Sequence, residues 1–503
     1  MTSVRLKLVL CCLPAFGHAK PLVILAELLS HHGHEVIFVT SQSMVPVIQD
    51  VCKDPRVTVL GLEDSLMNEK DDFMLGRPAN VKQHPVFFAE GRMTPPLVAL
   101  VKNMSPRPDM IISDHLTWAG INAARTLGVR HATHVTWPLH MLEECGYLPP
   151  HSLSSLAGTT MRALRSSRLA PSLLKPPGPP RAFLEHVRKI CVGSGGGDLV
   201  LVSSSFGIEP SRPLPPCVRL IGRGYRPGKA DTLAKHVELK AFLDAHDVVV
   251  YVTFGSRVRP PPSLIRSVGD ALVAGGWAVA WSLKDAEVAH LPSAAVASGK
   301  FFIRTWLPQP AALAHPHIRA AITHCGMGGL FECAVNAVPM VPMPFLLSAD
   351  QPVNARAAER AGFATRPRLS RSRLGWLQFW KKRGDPAYAP SAIREAVSRA
   401  VEDPALLKAA QRVKRAVLSA GYGHVAVDAV ESACLYGTDH LVATGAEKGS
   451  TSSATQTLWG FGSGVAMGAL LAGAAWLAVS ALTSGGGGWS SSLSGGSCRA
   501  MNS

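Results

Sequence analysis

Two hydrophobic rhythms alternate along this chain. Short runs rich in Val, Ile and Leu recur at 5–13, 34–40, 57–62, 108–113, 131–137, 198–204 and 218–222, then at 248–253, 276–283, 300–305, 318–323 and 339–343. Apolar character unbroken over five to nine residues predicts strands covered on both faces, as in a parallel sheet. Between them, apolar positions return at helical spacing. Pro21 is placed to start one such helix, with Leu22, Leu25, Ala26, Leu28 and Leu29 on one face and Gly33 as its stop. Strand, loop, helix, strand is the unit of a doubly wound parallel sheet, so the series predicts two α/β domains, at 1–222 and 248–444, joined by a Gly-, Pro- and charge-rich linker at 223–247.

The C-terminal end follows a third pattern. After a linker at 445–457, residues 458–483 contain no charged side chain, a length sufficient to cross roughly 30 Å of hydrocarbon as a helix, and a Ser/Gly tail at 484–503 follows. Gly460, Gly464, Gly468 and Ala472 form a small-residue stripe that would permit two such helices to pair as a homodimer. The expectation is a single-pass C-terminal anchor. Lys and Arg are abundant before the span and only Arg499 follows it, which predicts a body on the cytosolic side, with the endoplasmic reticulum as the expected membrane.

Composition narrows the function classes. Lys and Arg exceed Asp and Glu by 51 − 35 = 16, so acidic partners are favoured. No nucleic-acid module is visible, which leaves membrane lipid or a diphosphate ligand as the partner of that charge. The ten Cys are scattered without zinc spacing or a disulfide framework, in keeping with reduced thiols. The apolar start runs directly into a Gly-His motif and reads as a core strand, not a leader.

Candidate chemistry concentrates at 306–354. Trp306 offers a flat face for a uracil ring, Gln309 an amide for its edge, and Glu332 a carboxylate able to hold both ribose hydroxyls. His324 lies in a Gly-rich turn with Gly326, Gly328 and Gly329, where ring and backbone N–H groups can face a diphosphate at a helix N-terminus. Asp350 and Gln351 remain to read sugar hydroxyls. Together with His315 and Pro339, this block resembles the signature box of the UDP-glycosyltransferases that move sugars onto small molecules. Three departures stand out: Met327-Gly328-Gly329 in place of the plant Trp-Asn-Ser, Ala337 in place of a Gly, and a turn at 345–349 about two residues longer.

The resemblance covers roughly 5–435 and implies the GT-B architecture, two facing Rossmann-like domains. It also gives meaning to His18, in the Gly-His loop after the first strand, and to Asp114, at the end of another strand. Both fall at the carboxyl edge of a parallel sheet, where ligands bind. The resemblance makes His18 the catalytic base and Asp114 its partner; a carboxylate behind an imidazole fixes its tautomer and stabilises the imidazolium. Ser256, in the Phe-Gly-Ser turn opening the second domain, would touch the β-phosphate as the family's equivalent turn does.

Sharper alternatives fail. The glycines from Gly193 precede a strand instead of following one, no Asp-x-Asp occurs, and the paired histidines lack zinc partners. No metal and no cofactor are expected beyond a UDP-sugar co-substrate. Two further segments invite a role: 149–181, rich in Pro and Ser with five Lys/Arg and no acid, as a lid, and 366–383, basic and aromatic, as a lipid-facing insertion. The reading is an inverting hexosyltransferase moving glucose from UDP-glucose to a hydroxyl of a lipophilic small molecule. Rival readings are a catalytically silent membrane-anchored UDP-sugar-binding protein and a GT-B sugar-nucleotide epimerase.

Overall fold

The computed structural model describes residues 4–63, 85–139, 142, 199–222, 230–255, 259–345, 350–368 and 388–441. The predicted lid, Ser256, the turn residues 346–349, most of the basic-aromatic segment, the 445–457 linker and the apolar span 458–483 lie outside them. No helix among the described residues is long and apolar enough to cross a membrane.

All twelve predicted strands form. The first sheet contains β1 (Lys7–Cys11), β2 (Glu35–Ser41), β3 (Thr58–Leu62), β4 (Met110–Asp114), β5 (Arg130–Val135), β6 (Leu199–Val202) and β7 (Val218–Leu220). Its order is β3-β2-β1-β4-β5-β6-β7, and every pairing is parallel. The second holds β8 (Val249–Thr253), β9 (Ala278–Ser282), β10 (Phe301–Arg304), β11 (Ile318–Thr323) and β12 (Met340–Pro342), again all parallel, in the order β10-β9-β8-β11-β12. Helices cover both faces, which explains the unbroken apolar runs. Leu8 and Leu10 pack on one side of the first sheet with Leu22, Leu25 and Leu29, while Val9 and Cys11 pack on the other with Trp118 and Ala119.

In each sheet the strand order reverses once beside the first strand of the series, between β1 and β4 and between β8 and β11. At such a reversal the loops leaving the carboxyl ends turn to opposite faces and open a crevice. His18 and Asp114 follow or end β1 and β4; Gly255 and His324 follow β8 and β11. The two lobes therefore place their chemistry at equivalent points of two sheets.

Two expectations need correction. The first helix runs Phe16–His31, so His18 lies in its first turn and not in a loop, with the His18 and Ala19 N–H groups both bonded to the Ala15 carbonyl at 2.9 Å. Pro21 sits inside, where the ring forfeits only the N–H bond back to Gly17. The second concerns Tyr422–Tyr436, the last α-helix among the described residues, which the sequence reading assigned to the second domain. Its Ala426, Val427, Val430 and Ala433 belong to the core of the first sheet, beside Leu22 and Leu25. Polar ties agree: His34 Nε2 meets Glu431 Oε1 at 2.9 Å, and Arg130 donates to the Cys434 carbonyl at 2.8 Å. No disulfide joins the described cysteines.

Candidate active site

In the first lobe, the end of β4 buries Asp114 completely while the first turn of Phe16–His31 leaves His18 about one-fifth exposed. His18 Nδ1 lies 2.9 Å from Asp114 Oδ1, and Asp114 Oδ2 accepts the Leu116 N–H at 3.0 Å. Burial alone would push the Asp114 carboxyl up, but the imidazoles of His18 and His115, through charge and hydrogen bonding, hold it well below the usual carboxylate range. An ionised Asp114 takes the Nδ1–H of His18 and leaves the Nε2 lone pair as the basic site.

His115 is the functional-site residue that sequence reasoning missed. Its Nδ1 is 3.2 Å from the same Asp114 oxygen, without the alignment of a full hydrogen bond, and its ring packs edge-on to Trp137 at 4.2 Å and tilted to His18 at 5.1 Å. Burial outweighs Asp114 and lowers its pKa, so His115 is neutral near pH 7. The available signal was the Asp-His pair itself at the end of an apolar run. His18, Asp114 and His115 together bring ligand atoms within 4.8 Å of one another, a set able to receive a divalent cation only by giving up the Nδ1 protons that orient the bases.

In the second lobe, His324 is clasped between two glycine turns. A Cβ on Gly255 would come within 2.7 Å of His324 Cε1, and one on Gly326 within 2.6 Å of Nε2. Gly255 also has a φ of 78°, which a side chain would strain. Desolvation lowers the His324 pKa to about 4 against the opposing pulls of Asp350 and of a hydrogen bond to the Thr253 backbone, so the ring is neutral. Gly326 caps the helix Met327–Asn336, with Gly328 and Gly329 in its first turn. One turn on, Glu332 is nearly buried and receives Gln309 Nε2 on Oε2 at 2.6 Å and Lys20 Nζ on Oε1 at 3.0 Å. Trp306 keeps 67% of its surface exposed, its ring 5.8 Å from that of His236.

The remaining residues separate. Asp350 caps the helix Gln351–Ala361 and receives Asn354 Nδ2 at 3.2 Å; the same amide donates to the Cys325 carbonyl at 2.9 Å, tying this helix to the His324 turn. Gln351 is buried with its carbonyl oxygen taken by the Phe345 N–H at 3.0 Å, which leaves its NH2 group as donor. His315 bonds Asp244 at 3.0 Å and serves the packing of its lobe.

A family model described as UDP-glucoronosyl and UDP-glucosyl transferase matches residues 192–370, the stretch that builds the second lobe's site. A UDP-glycosyltransferase of Talaromyces amestolkiae is 30% identical over 309 residues, 53% of this chain and 56% of that protein. In this segment the chain is similar to the UDP-glycosyltransferases. An anthocyanidin 3-O-glucosyltransferase of Vitis vinifera is 36% identical over 113 residues, 22% of this chain and 24% of its own. The alignments thus span about half, or less, of the length of these relatives. Likeness of fold runs further: Os79 of O. sativa in complex with UDP superimposes with a TM-score of 0.65 at 21% identity, over 84% of this chain and 99% of that one. The fold is GT-B, and the family match runs from the last strands of the first sheet through the residues Gln309, His324 and Glu332 of the second lobe.

Proposed function

We propose that the protein is an inverting glycosyltransferase that moves a hexose, glucose first, from a UDP-sugar to a hydroxyl of a lipophilic small molecule. The observation that carries this reading is the His18–Asp114 pair at 2.9 Å, with His18 on the helix whose Lys20 reaches Glu332, so that base and nucleotide box are tied together. In this reading His18 Nε2 takes the proton of the acceptor hydroxyl as the oxygen bonds to the anomeric carbon. The bond from that carbon to the β-phosphate oxygen breaks, UDP departs, and the anomeric configuration inverts. Asp114 stabilises the imidazolium. The neutral His324 ring and the turn N–H groups are the candidates to meet the departing diphosphate, with no metal called upon.

Trp306 stacks on uracil, Gln309 and Glu332 hold the nucleoside, and Asp350 and the Gln351 amide read the sugar. The relatives named glucosyltransferases support glucose and a phenolic class of acceptor. The uncharged 458–483 span supports a C-terminal anchor, with membrane lipid as neighbour and the catalytic body cytosolic, and its small-residue stripe supports pairing of two copies.

Purified protein incubated with several UDP-sugars and a panel of alcohols should release UDP with at least one pair. His18→Ala should then lose about 10²- to 10⁴-fold in turnover while UDP affinity changes little. Turnover near wild type in that variant removes His18 from the role.

A further inference from the structure

Both oxygens of the Glu332 carboxylate are engaged, one by its lobe-mate Gln309 and the other by Lys20, a cation delivered by the helix that carries the base. Lys20 stands two residues beyond His18, and its side chain is one-third exposed whereas Glu332 is 7% exposed. Oε1 already holds the Lys20 ammonium, so a ribose hydroxyl that reaches this oxygen must share it with Lys20 or displace it. The competition has a direction. In a nucleotide sugar the diphosphate adjoins the ribose, so a cation standing at the ribose-holding carboxylate is near the first phosphates as well. Its ammonium rides on four flexible methylenes and can swing without moving the helix.

We infer that Lys20 is a donor-site residue supplied by the first lobe: it pairs with the ribose-holding carboxylate and passes to the diphosphate when a nucleoside diphosphate occupies that carboxylate. This rests on the nucleotide reading of the 306–354 block. The other diphosphate-facing groups among the described residues are neutral, namely the His324 ring and backbone N–H groups at Gly326, Gly328 and Gly329. A ligand of charge near −3 would thus meet its cation from the opposite lobe, which would also draw the base toward the donor. The charge of Lys20 would act on the departing UDP without any proton transfer, since an ammonium stabilises the developing negative charge as it stands.

The test compares uridine, which has the ribose but no phosphate, with UDP, by calorimetry on wild type, Lys20→Met, Lys20→Arg and Glu332→Ala. Lys20→Met keeps an unbranched, flexible side chain one atom shorter and removes its charge. It should bind uridine at least as tightly as wild type and UDP about tenfold more weakly, so that the UDP-to-uridine affinity ratio falls about tenfold or more. Lys20→Arg should restore most of the ratio, which a merely structural ion pair would not require. An unchanged ratio in Lys20→Met, or a fall that Arg does not recover, overturns the inference. Glu332→Ala separates the two readings: unchanged uridine and UDP affinity there removes the nucleotide box itself, whereas loss of uridine binding with an unchanged Lys20→Met ratio removes only the role of Lys20.

Discussion

His324 illustrates how one side chain ties local packing to chemistry and to pH. Two glycine turns press on the ring, and the resulting desolvation brings its pKa from 6.5 to about 4. Above pH 6.5 the ring is neutral in folded and unfolded chain alike, and it carries no pH dependence. Between 6.5 and 4 the unfolded chain binds a proton that the folded one refuses, so stability falls as pH falls. The loss attributable to this ring from pH 7 to pH 5 is about 2 kcal/mol, and His324→Gln should flatten the stability profile by about that amount. Urea unfolding at the two pH values measures it; an unaltered slope would place the loss elsewhere, His115 and His34 being lowered in the same sense. At this scale the sequence singled out residues that the structure brings together, His18 with Asp114 and Gln309 with Glu332. Lys20 and His115 were not. Each makes its contact with a neighbour distant in sequence, Glu332 in one case and Trp137 with His18 in the other.

Elements were legible through their burial. Strands covered on both faces leave long apolar runs, and all twelve were marked with ends within a few residues. Helix ends were harder, because Gly17 and Pro21 disfavour a helix interior and yet both lie inside one. The departure at Ala337 has a measurable consequence. This residue caps Met327–Asn336 in the left-handed region, φ 56°, where a Cβ crowds the following carbonyl and a glycine does not. Ala337→Gly relieves that crowding but gives the unfolded chain more freedom, so the net expectation is a gain of about 0.5–1 kcal/mol. Denaturation at neutral pH should show a higher midpoint with an unchanged slope. A lower midpoint would mean that the methyl group, which packs against the second lobe's core, contributes more than the strain costs.

For the whole molecule the informative feature is the return of the chain to its first lobe. An amphipathic stripe tells that a helix buries one face but not against what, and so the sequence could not reveal that Tyr422–Tyr436 completes the core around Leu22 and Leu25. Two truncations follow from that placement. Ending the chain after Thr444 removes the uncharged 458–483 span and keeps every described helix, so UDP release from a working donor and acceptor pair should persist, and under the proposed anchor the product should sediment with membranes less than the full chain does. Ending it after Ser419 strips Ala426, Val427, Val430, Ala433 and Leu441 from the first lobe and exposes the helix that positions His18 and Lys20. Each deleted side chain of that kind withdraws roughly 1 kcal/mol or more of burial, a sum comparable with the entire stability of a domain. The shorter product should therefore aggregate or bind UDP poorly, even though the family-matched segment 192–370 is intact. Sedimentation and UDP calorimetry on both products decide the point: equal UDP affinity in the two would show that the last helix is dispensable to the lobe it covers, and an active Thr444 product that stays in the pellet would place the membrane attachment upstream of the span.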